Sequence, residues 1–249
     1  MTYDVIIPTF NHGSFIREAI ESARSQTVAP RSIIVVDDGS TDFTKEAVKS
    51  LSMIEYLWQP NSGLSSARNA GLDLASAEMV VFLDADDRLS PTFAEHCLRT
   101  LARSNESYSY SSVQFFGNDE RFIPAPPFSL DILKHQNFIS STSMIDRKLA
   151  SQIRFDTSFQ TWADWEFFMH AASRGFLGAP SADAVFFYRK HQTPISMFDR
   201  TSRDPTALLS AKAEIQRKHP SMYRFRERLE TNSRLQAASI RRRLTRVQQ

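Results

Sequence analysis

Apolar and polar positions in the first half of the chain follow two alternating patterns. Short, continuously apolar runs predict strands that are buried on both faces; they cover residues 3–8, 32–37, 54–58 and 79–83. Between these runs, apolar residues recur three or four positions apart, which predicts helices. Strands that alternate with helices and short turns are typical of a mostly parallel sheet covered by helices, so we predict an α/β fold.

The pattern becomes irregular after residue 107, which predicts an attached lobe rather than a repeat of the first half. In this lobe we expect strands near residues 108–115, 143–146 and 184–189, and helices at 130–135 and 164–174. From Pro205 onward the sequence predicts only helix, linker and tail. We therefore predict one domain over residues 1–200, with halves at 1–104 and 105–200, and a basic helical extension over 201–249.

Composition limits the class of protein. The chain has 249 residues, of which 41% are hydrophobic and 23% charged, so it can bury a substantial core and is not disordered throughout. No apolar run in the sequence approaches the roughly 18 residues of a membrane-spanning helix. The first residues lack the basic flank and apolar stretch of a secretion signal, and the single cysteine, Cys97, fits a reducing compartment. We expect a cytoplasmic protein.

Charge is distributed unevenly along the chain. Residues 217–249 contain ten Lys or Arg and two Glu, whereas the whole chain has a formal net charge of +2. Ile240, Leu244 and Val247 recur at helical spacing among arginines, which predicts a basic amphipathic helix. Such a helix could contact the inner face of an anionic membrane as a peripheral element, dock on the body of the protein, or self-associate. Nucleic acid is not expected as a partner, because the tail has no recognised nucleic-acid-binding motif and the body is acidic.

Two clusters of carboxylates follow predicted strands. Asp37 and Asp38 close the second strand, and Asp84, Asp86 and Asp87 follow the fourth. Open α/β sheets bind ligands at the carboxyl ends of their strands, so both clusters are expected at one crevice. Neighbouring carboxylates repel each other unless a cation neutralises them. Their hard oxygen atoms suit Mg²⁺ or Mn²⁺, which commonly also bind phosphate oxygens. The clusters predict a site for one of these metals and a diphosphate.

The sequence lacks the usual glycine-rich phosphate loops. Neither Gly-x-Gly-x-x-Gly after the first strand nor Gly-x-x-x-x-Gly-Lys-Ser/Thr occurs. A bound diphosphate would therefore be held by the metal and a basic side chain.

Four stretches of the first hundred residues resemble the family 2 glycosyltransferases, which have the GT-A nucleotide-sugar fold. They read Val-Ile-Ile-Pro-Thr-Phe-Asn at 5–11, Val-Val-Asp-Asp-Gly-Ser-Thr-Asp at 35–42, Asn-Ser-Gly-Leu-Ser-Ser-Ala-Arg-Asn-Ala-Gly at 61–71 and Phe-Leu-Asp-Ala-Asp-Asp at 82–87. Segments around Asp164 and at 188–191 match more loosely, and the resemblance fades after residue 198. It implies a Rossmann-like GT-A fold and transfer of a sugar from a nucleotide diphosphate.

The resemblance places the base of the donor at the end of the first strand. Pro8, Thr9 and Phe10 would line the base pocket. Asp38 would accept a hydrogen bond from the base, and because a carboxylate cannot donate, it selects a base that presents a donor, such as uracil N3–H. The expected nucleotide is therefore UDP.

The resemblance also implies how the rest of the donor is bound. Gly63 and Arg68 would face the nucleotide, although Arg68 could instead lie on the surface of an amphipathic helix. Asp84 would bind the ribose hydroxyls, with Ala85 beside the donor. Asp86 would bind the metal that bridges the two phosphates, and this metal acts as a Lewis acid on the leaving nucleoside diphosphate.

An inverting transfer needs a carboxylate that takes the proton of the acceptor hydroxyl. The family usually shows Glu-Asp at the start of a helix in the second half, with the Asp as the base. This chain has Ala163-Asp164 at that position, so Asp164 is the predicted base. Glu166 is the alternative base if the register differs by two. The structural alternative is that Asp164 only caps the helix. His191 matches a histidine that completes the metal shell in some relatives, but it could also lie in a surface loop.

The predicted function is metal-assisted, inverting transfer of a sugar from a UDP-sugar to a hydroxyl of a glycan, a glycolipid or a protein-linked sugar. A nucleotidyltransferase of similar architecture is one alternative, although residues 9–14 lack the glycine-rich basic loop that such enzymes usually carry. A catalytically silent sugar-nucleotide binder is the other, because Ala163 replaces the usual Glu.

Overall fold

A mixed β-sheet runs through the centre of the computed structural model, which describes residues 1–52, 54–159, 161–192 and 205–247. Its strands are β1 Tyr3–Thr9, β2 Ser32–Asp37, β3 Glu55–Trp58, β4 Met79–Phe82, β5 Arg88–Leu89, β6 Tyr108–Gly117, β7 Phe122–Ile123, β8 Ser143–Asp146 and β9 Gly178–Lys190. The helices are α1 Ile16–Arg24, α2 Thr44–Lys49, α3 Leu64–Leu74, α4 Phe93–Ala102, α5 Leu130–Leu133, α6 Arg147–Ile153, α7 Ala163–Ser173, α8 Pro205–Lys218 and α9 Phe225–Val247, with a 3₁₀ turn at Pro220–Met222.

The strand order is β3-β2-β1-β4-β8-β6-β9-β5, with β7 paired to β6. The four strands of the first half are mutually parallel, which confirms the α/β prediction. β8 lies antiparallel between β4 and β6, and therefore joins the second half to the same sheet. Both halves of the domain therefore contribute strands to one continuous sheet.

Both faces of β1, β2 and β4 are buried, which explains their continuous apolar runs, whereas the edge strand β3 is only partly buried. Ile6, Ile34 and Val80 belong to the core beneath α3 and α7. Val5 and Val35 belong to the core on the α1 and α4 side. All five side chains are fully buried, as expected for a parallel sheet covered by helices on both faces.

Helix α3 lies directly on β1. A Cβ atom at Gly71 would be 2.3 Å from Cγ2 of Ile6, so only glycine permits this close approach. The contact fixes the position of the whole helix. Arg68, one turn earlier on α3, is consequently held close to the carboxyl end of the sheet.

β9 and α6 of the second half differ from the sequence prediction, which also lacked the short strand β7. β9 extends over 13 residues, because the expected strand at 184–189 is preceded by a segment that also pairs with β6. A register shift between Ser111 and Ser112 interrupts this pairing and obscures the alternation of apolar residues. Helix α6 was not predicted, although Asp146 caps it by accepting hydrogen bonds from the backbone N–H groups of Lys148 and Leu149.

The C-terminal extension contains two helices that pack on each other. Ile215 of α8 is fully buried against the core of the second half, and the hydroxyl of Tyr223 donates to the carbonyl of Lys134. Helix α9 confirms the helical prediction for the tail. The side chains of Ile240, Leu244 and Val247, on which the amphipathic prediction depends, lie outside the described residues. In the described ranges, no helix is both long and apolar enough to cross a bilayer.

Candidate active site

Asp38 organises the turn that leads into α3. Its Oδ1 accepts hydrogen bonds from Nε2 of Gln59 at 2.6 Å and from the backbone N–H of Ser62 at 2.9 Å, and its Oδ2 accepts from the N–H of Gly63 at 2.8 Å. Gly63 has φ +90°, a left-handed conformation that favours glycine. A carboxylate has about four lone-pair positions, so three donors leave room for one more. Asp38 therefore has the capacity to shape the turn and to accept one hydrogen bond from a ligand.

The end of β1 lies beside this turn. Pro8 and Thr9 are buried, and the carbonyl of Thr9 accepts the N–H of Asp38 at 2.8 Å. Phe10 is 43% exposed, which is unusual for so large an apolar ring. A flat exposed ring beside Asp38 is suited to stacking on a nucleotide base.

Arg68 is the cationic centre of the crevice. Its Nη2 donates to Oδ1 of Asp84 at 2.8 Å and to the hydroxyl of Ser141 at 3.0 Å, and its guanidinium lies 5.1 Å from the ring centroid of Phe155. Only 4% of Arg68 is exposed, so the surface interpretation of this residue is wrong. Because Ser141 and Phe155 belong to the second half, Arg68 joins both halves of the domain.

The two carboxylates of Asp84-Ala85-Asp86 have different partners. Asp84 pairs with Arg68, Ala85 is buried, and Oδ2 of Asp86 lies 2.8 Å from Nε2 of His191. Nε2 of His12 lies 4.0 Å from the same oxygen of Asp86. The surface-loop interpretation of His191 is therefore wrong, because its ring contacts the motif.

The backbone of the motif is held by the end of β9. The N–H of Arg189 donates to Oδ1 of Asp87 at 2.8 Å, and its Nε donates to the carbonyl of Asp86 at 2.8 Å. Burial, together with the charges of Asp86 and Asp84, raises the pKa of Asp87 well above its usual range. Burial is the larger cause, but the charges of Asp84 and Asp86 contribute, and a bound cation would relieve that repulsion.

The donor set near Asp86 fits a divalent cation. An imidazole nitrogen and a carboxylate oxygen suit Mn²⁺, and a carboxylate alone suits Mg²⁺. Within the part of the chain that the structure describes, no group of three or more His, Cys, Asp or Glu forms a ready-made metal cage. Asp86 and His191 would therefore hold the cation together with ligands that the diphosphate and water supply.

Asp164 lies at the start of α7, close to the cluster of the first half. Its Oδ2 accepts from Nδ2 of Asn137 at 3.0 Å, and its Oδ1 accepts from the N–H of Trp165 at 2.9 Å. Burial raises the pKa of Asp164, while the nearby Arg68 charge and these two hydrogen bonds counteract the rise. The start of a helix favours a carboxylate, but loss of solvent outweighs that effect here. The preceding Trp162 has φ +62°, which is uncommon for a bulky residue.

Glu166 does not share this environment. It is 1% exposed, and its Oε1 lies 2.9 Å from Nε2 of His219 in the C-terminal extension. A carboxylate so enclosed cannot meet an acceptor hydroxyl, so the alternative assignment of the base to Glu166 is wrong.

Several residues of the site were missed by the sequence reasoning. Asn137 and Ser141 lie in an irregular loop whose sequence carries no periodicity, and only the folded chain brings them to Asp164 and Arg68. Sequence position was the available signal for the other two residues. His12 directly follows the matched stretch at 5–11, and Arg189 lies two positions before His191.

Solved structures of known proteins share this architecture. Staphylococcus aureus TarS 1-349, in a crystal structure in complex with UDP-GlcNAc, superposes with a TM-score of 0.69 at 20% identity, covering 86% of this chain and 66% of that chain. The complex of TarS 1-349 with UDP gives a TM-score of 0.67 at 21% identity. The fold is therefore that of the GT-A glycosyltransferases.

The sequence comparison defines the family. Residues 4–169 match the model for glycosyl transferase family 2, and the chain belongs to that family. The putative teichuronic acid biosynthesis glycosyltransferase TuaG of Bacillus subtilis (strain 168) is 28% identical over 204 residues, which cover 77% of this chain and 80% of TuaG. Glycosyltransferase GlyA of Streptococcus pneumoniae serotype 4 is 32% identical over 120 residues, which cover 47% of this chain but only 17% of GlyA.

Proposed function

We propose that this chain transfers a sugar from a nucleotide diphosphate to an acceptor hydroxyl, with inversion at the anomeric carbon. One observation carries the proposal: the buried Arg68 lies 2.8 Å from Asp84, and its charge is also near enough to Asp164 to counteract the rise that burial causes in the pKa of Asp164. Asp84, on the donor side, and Asp164, the proposed base, therefore lie near the same cation, Arg68, although they come from different halves of the domain.

UDP is the nucleotide that we propose. Asp38 has one remaining acceptor position, which suits the N3–H of uracil. Phe10 is exposed beside it for stacking, and Pro8, Thr9 and Gly63 complete this end of the crevice. The complexes of TarS with UDP and with UDP-GlcNAc support a UDP-sugar donor for this chain.

The diphosphate would lie between Arg68 and Asp86. When Mn²⁺ or Mg²⁺ is bound through Asp86 and His191, it supplies positive charge to the leaving diphosphate. Arg68 would supply a second positive charge, and its contact with Asp84 fixes the guanidinium. Arg189 holds the backbone of Asp86 and Asp87 in place.

Asp164 is the proposed general base. It takes the proton of the acceptor hydroxyl as the oxygen bonds to the anomeric carbon, while the bond to the phosphate oxygen breaks and the nucleoside diphosphate leaves. Asn137 and the N–H of Trp165 stabilise the ionised form that must be present before turnover.

We propose a glycan or lipid-linked acceptor. The relative TuaG is described as a putative enzyme of teichuronic acid biosynthesis, which supports a polysaccharide or its carrier as the acceptor. A peripheral contact of the basic extension with an anionic membrane would bring the enzyme to such carriers. The enzyme would then work in the cytoplasm at the inner face of the membrane.

Binding and turnover assays test the proposed function. We expect UDP and UDP-sugars to raise the unfolding temperature of the protein, with a larger rise when Mn²⁺ is present, because a ligand of the folded state shifts its stability. Mixing a UDP-sugar with a suitable glycan acceptor should release free UDP. Binding without any UDP release across a panel of acceptors would favour the silent binder, and release of pyrophosphate from UTP and a sugar 1-phosphate, tested separately, would favour a nucleotidyltransferase.

The acid side of the pH profile tests the role of Asn137. Because burial raises the pKa of Asp164, activity should fall on the acid side at a pH above the ordinary aspartate value. Asn137→Leu removes a hydrogen bond that favours the carboxylate, so the pKa of Asp164 should rise further. The acid limb of kcat/KM then moves to higher pH, so rates within that limb fall while rates on the plateau change little. An unchanged acid limb in Asn137→Leu would contradict the assignment.

A further inference from the structure

The C-terminal end of α8 contacts the helix that carries the proposed base. Nε2 of His219 lies 2.9 Å from Oε1 of Glu166, and Nζ of Lys218 lies 3.4 Å from the same oxygen. Lys218 also pairs with Asp156. Glu166 is 1% exposed and His219 is 8% exposed, so their contact is closed to solvent, whereas Lys218 and Asp156 are partly exposed. It lies outside the crevice and takes no part in the steps proposed above.

The partners of this cluster lie on both sides of Asp164 in the sequence. Asp156 belongs to the loop before α7, and Glu166 lies in the first turn of α7. One end of α8 therefore holds the chain before and after the turn that presents the base. The neighbouring Phe155 is held by Asn69 of α3. The N–H of Phe155 donates to Oδ1 of Asn69 at 2.9 Å, and Nδ2 of Asn69 donates to the carbonyl of Phe155 at 2.8 Å.

The turn needs to be held. Trp162 adopts a left-handed conformation that bulky residues rarely take, and such strained backbone persists only where its surroundings determine it. The carboxylate of Glu166 is also buried, and its Oε2 has no hydrogen-bond partner among the described residues. Oε1 has two cationic partners, and removing either of them would leave the buried charge less well compensated, which favours movement of the helix.

We propose that Lys218 and His219 are positioning residues for Asp164, so that the C-terminal extension is part of the catalytic architecture. They act through Glu166 and Asp156, which keep the start of α7 where Asp164 meets Asn137. The inference rests on the proposed function, because it takes Asp164 as the base. The hydrogen bonds and ion pairs of Asp38, Arg68 and Asp86 in the donor crevice are made with residues outside this cluster.

Two substitutions at one position test the inference. His219→Leu removes the donor to Glu166, and we expect kcat to fall roughly 10- to 100-fold, since small misplacements of a catalytic group have effects of this size. The KM of the UDP-sugar and the affinity for UDP should change less than about threefold. His219→Gln can still donate to Glu166 and should retain most of the activity. The acid limb of the pH profile should move in His219→Leu, because Asp164 loses its fixed contact with Asn137.

Lys212→Met is the matched control. Lys212 lies about two turns earlier on the same helix, and its Nζ contacts Nδ1 of His135 at 3.0 Å rather than Glu166. This variant should retain kcat and the wild-type pH profile, even if it lowers the unfolding temperature as much as His219→Leu does. Equal losses of kcat in both variants would overturn the inference, because any loosening of α8 would then suffice.

Two further measurements keep the test decisive. If His219→Leu does not fold, Glu166→Gln replaces it: this variant preserves shape and hydrogen bonding but loses the ion pair with Lys218, and kcat should still fall severalfold with KM unchanged. A folded variant with wild-type kcat and pH profile overturns the inference. Full activity of Asp164→Asn, in contrast, overturns the proposed base itself, so the two failures are distinguishable.

Discussion

Asp164→Asn should abolish sugar transfer while UDP binding stays nearly intact. Asparagine has almost the same shape but cannot take a proton, and general base catalysis contributes about 10²- to 10⁴-fold to rates. We therefore expect kcat to fall by about 10³-fold. The affinity for UDP should change little, because Asp38, Arg68 and Asp86 do not depend on the protonation of Asp164. Initial rates of UDP release and calorimetric titration with UDP measure the two quantities.

The matched control for this variant is Asp131→Asn. The Asp131 side chain is 95% exposed and pairs only loosely with Lys134, at 3.7 Å. This control should behave as the wild type. Equal loss of UDP binding and transfer in Asp164→Asn would reject the assignment of the base, because it would indicate a structural role in the donor site.

Asp86→Asn should remove the effect of metal on the donor. The amide keeps the size of the side chain but loses the anionic oxygen that a divalent cation prefers. We expect the enhancement of UDP affinity by Mn²⁺ to disappear and kcat/KM to fall by about 10²- to 10³-fold, as with the loss of other electrostatic contributions to leaving-group stabilisation. Titrations with UDP in the presence and absence of Mn²⁺, with electron paramagnetic resonance of bound Mn²⁺, measure the change without relying on turnover.

Asp183→Asn provides the comparison for the metal test. Asp183 is exposed on β9, the strand that also carries Arg189 toward the crevice. It should retain both the Mn²⁺ effect and the rate. If Asp86→Asn binds UDP with the same Mn²⁺ enhancement as the wild type, the metal is held elsewhere and the assignment of Asp86 and His191 fails.

Arg68 illustrates how far a motif can be interpreted without a structure. Its neighbours in the sequence matched the family, but an arginine on a helix can equally be a surface residue. What decides its role is Gly71, three positions later in the chain, which lets α3 rest on β1: a Cβ atom at Gly71 would lie 2.3 Å from Cγ2 of Ile6. That approach buries Arg68 between Asp84, Ser141 and Phe155, and no local pattern encodes those last two contacts.

The sequence by itself determined the α/β class, the alternation of strands and helices in the first half, and the carboxylates at the ends of β2 and β4. These features could be predicted because strand period, buried apolar runs and turn residues act over short distances along the chain. Only the tertiary structure decided that Asp84 pairs with Arg68 while Asp86 meets His191, and that Glu166 turns away from the crevice toward His219. These contacts join residues 16 to 105 positions apart. Burial and charge pairing across such distances depend on how whole helices and strands pack, and packing is a property of the complete fold.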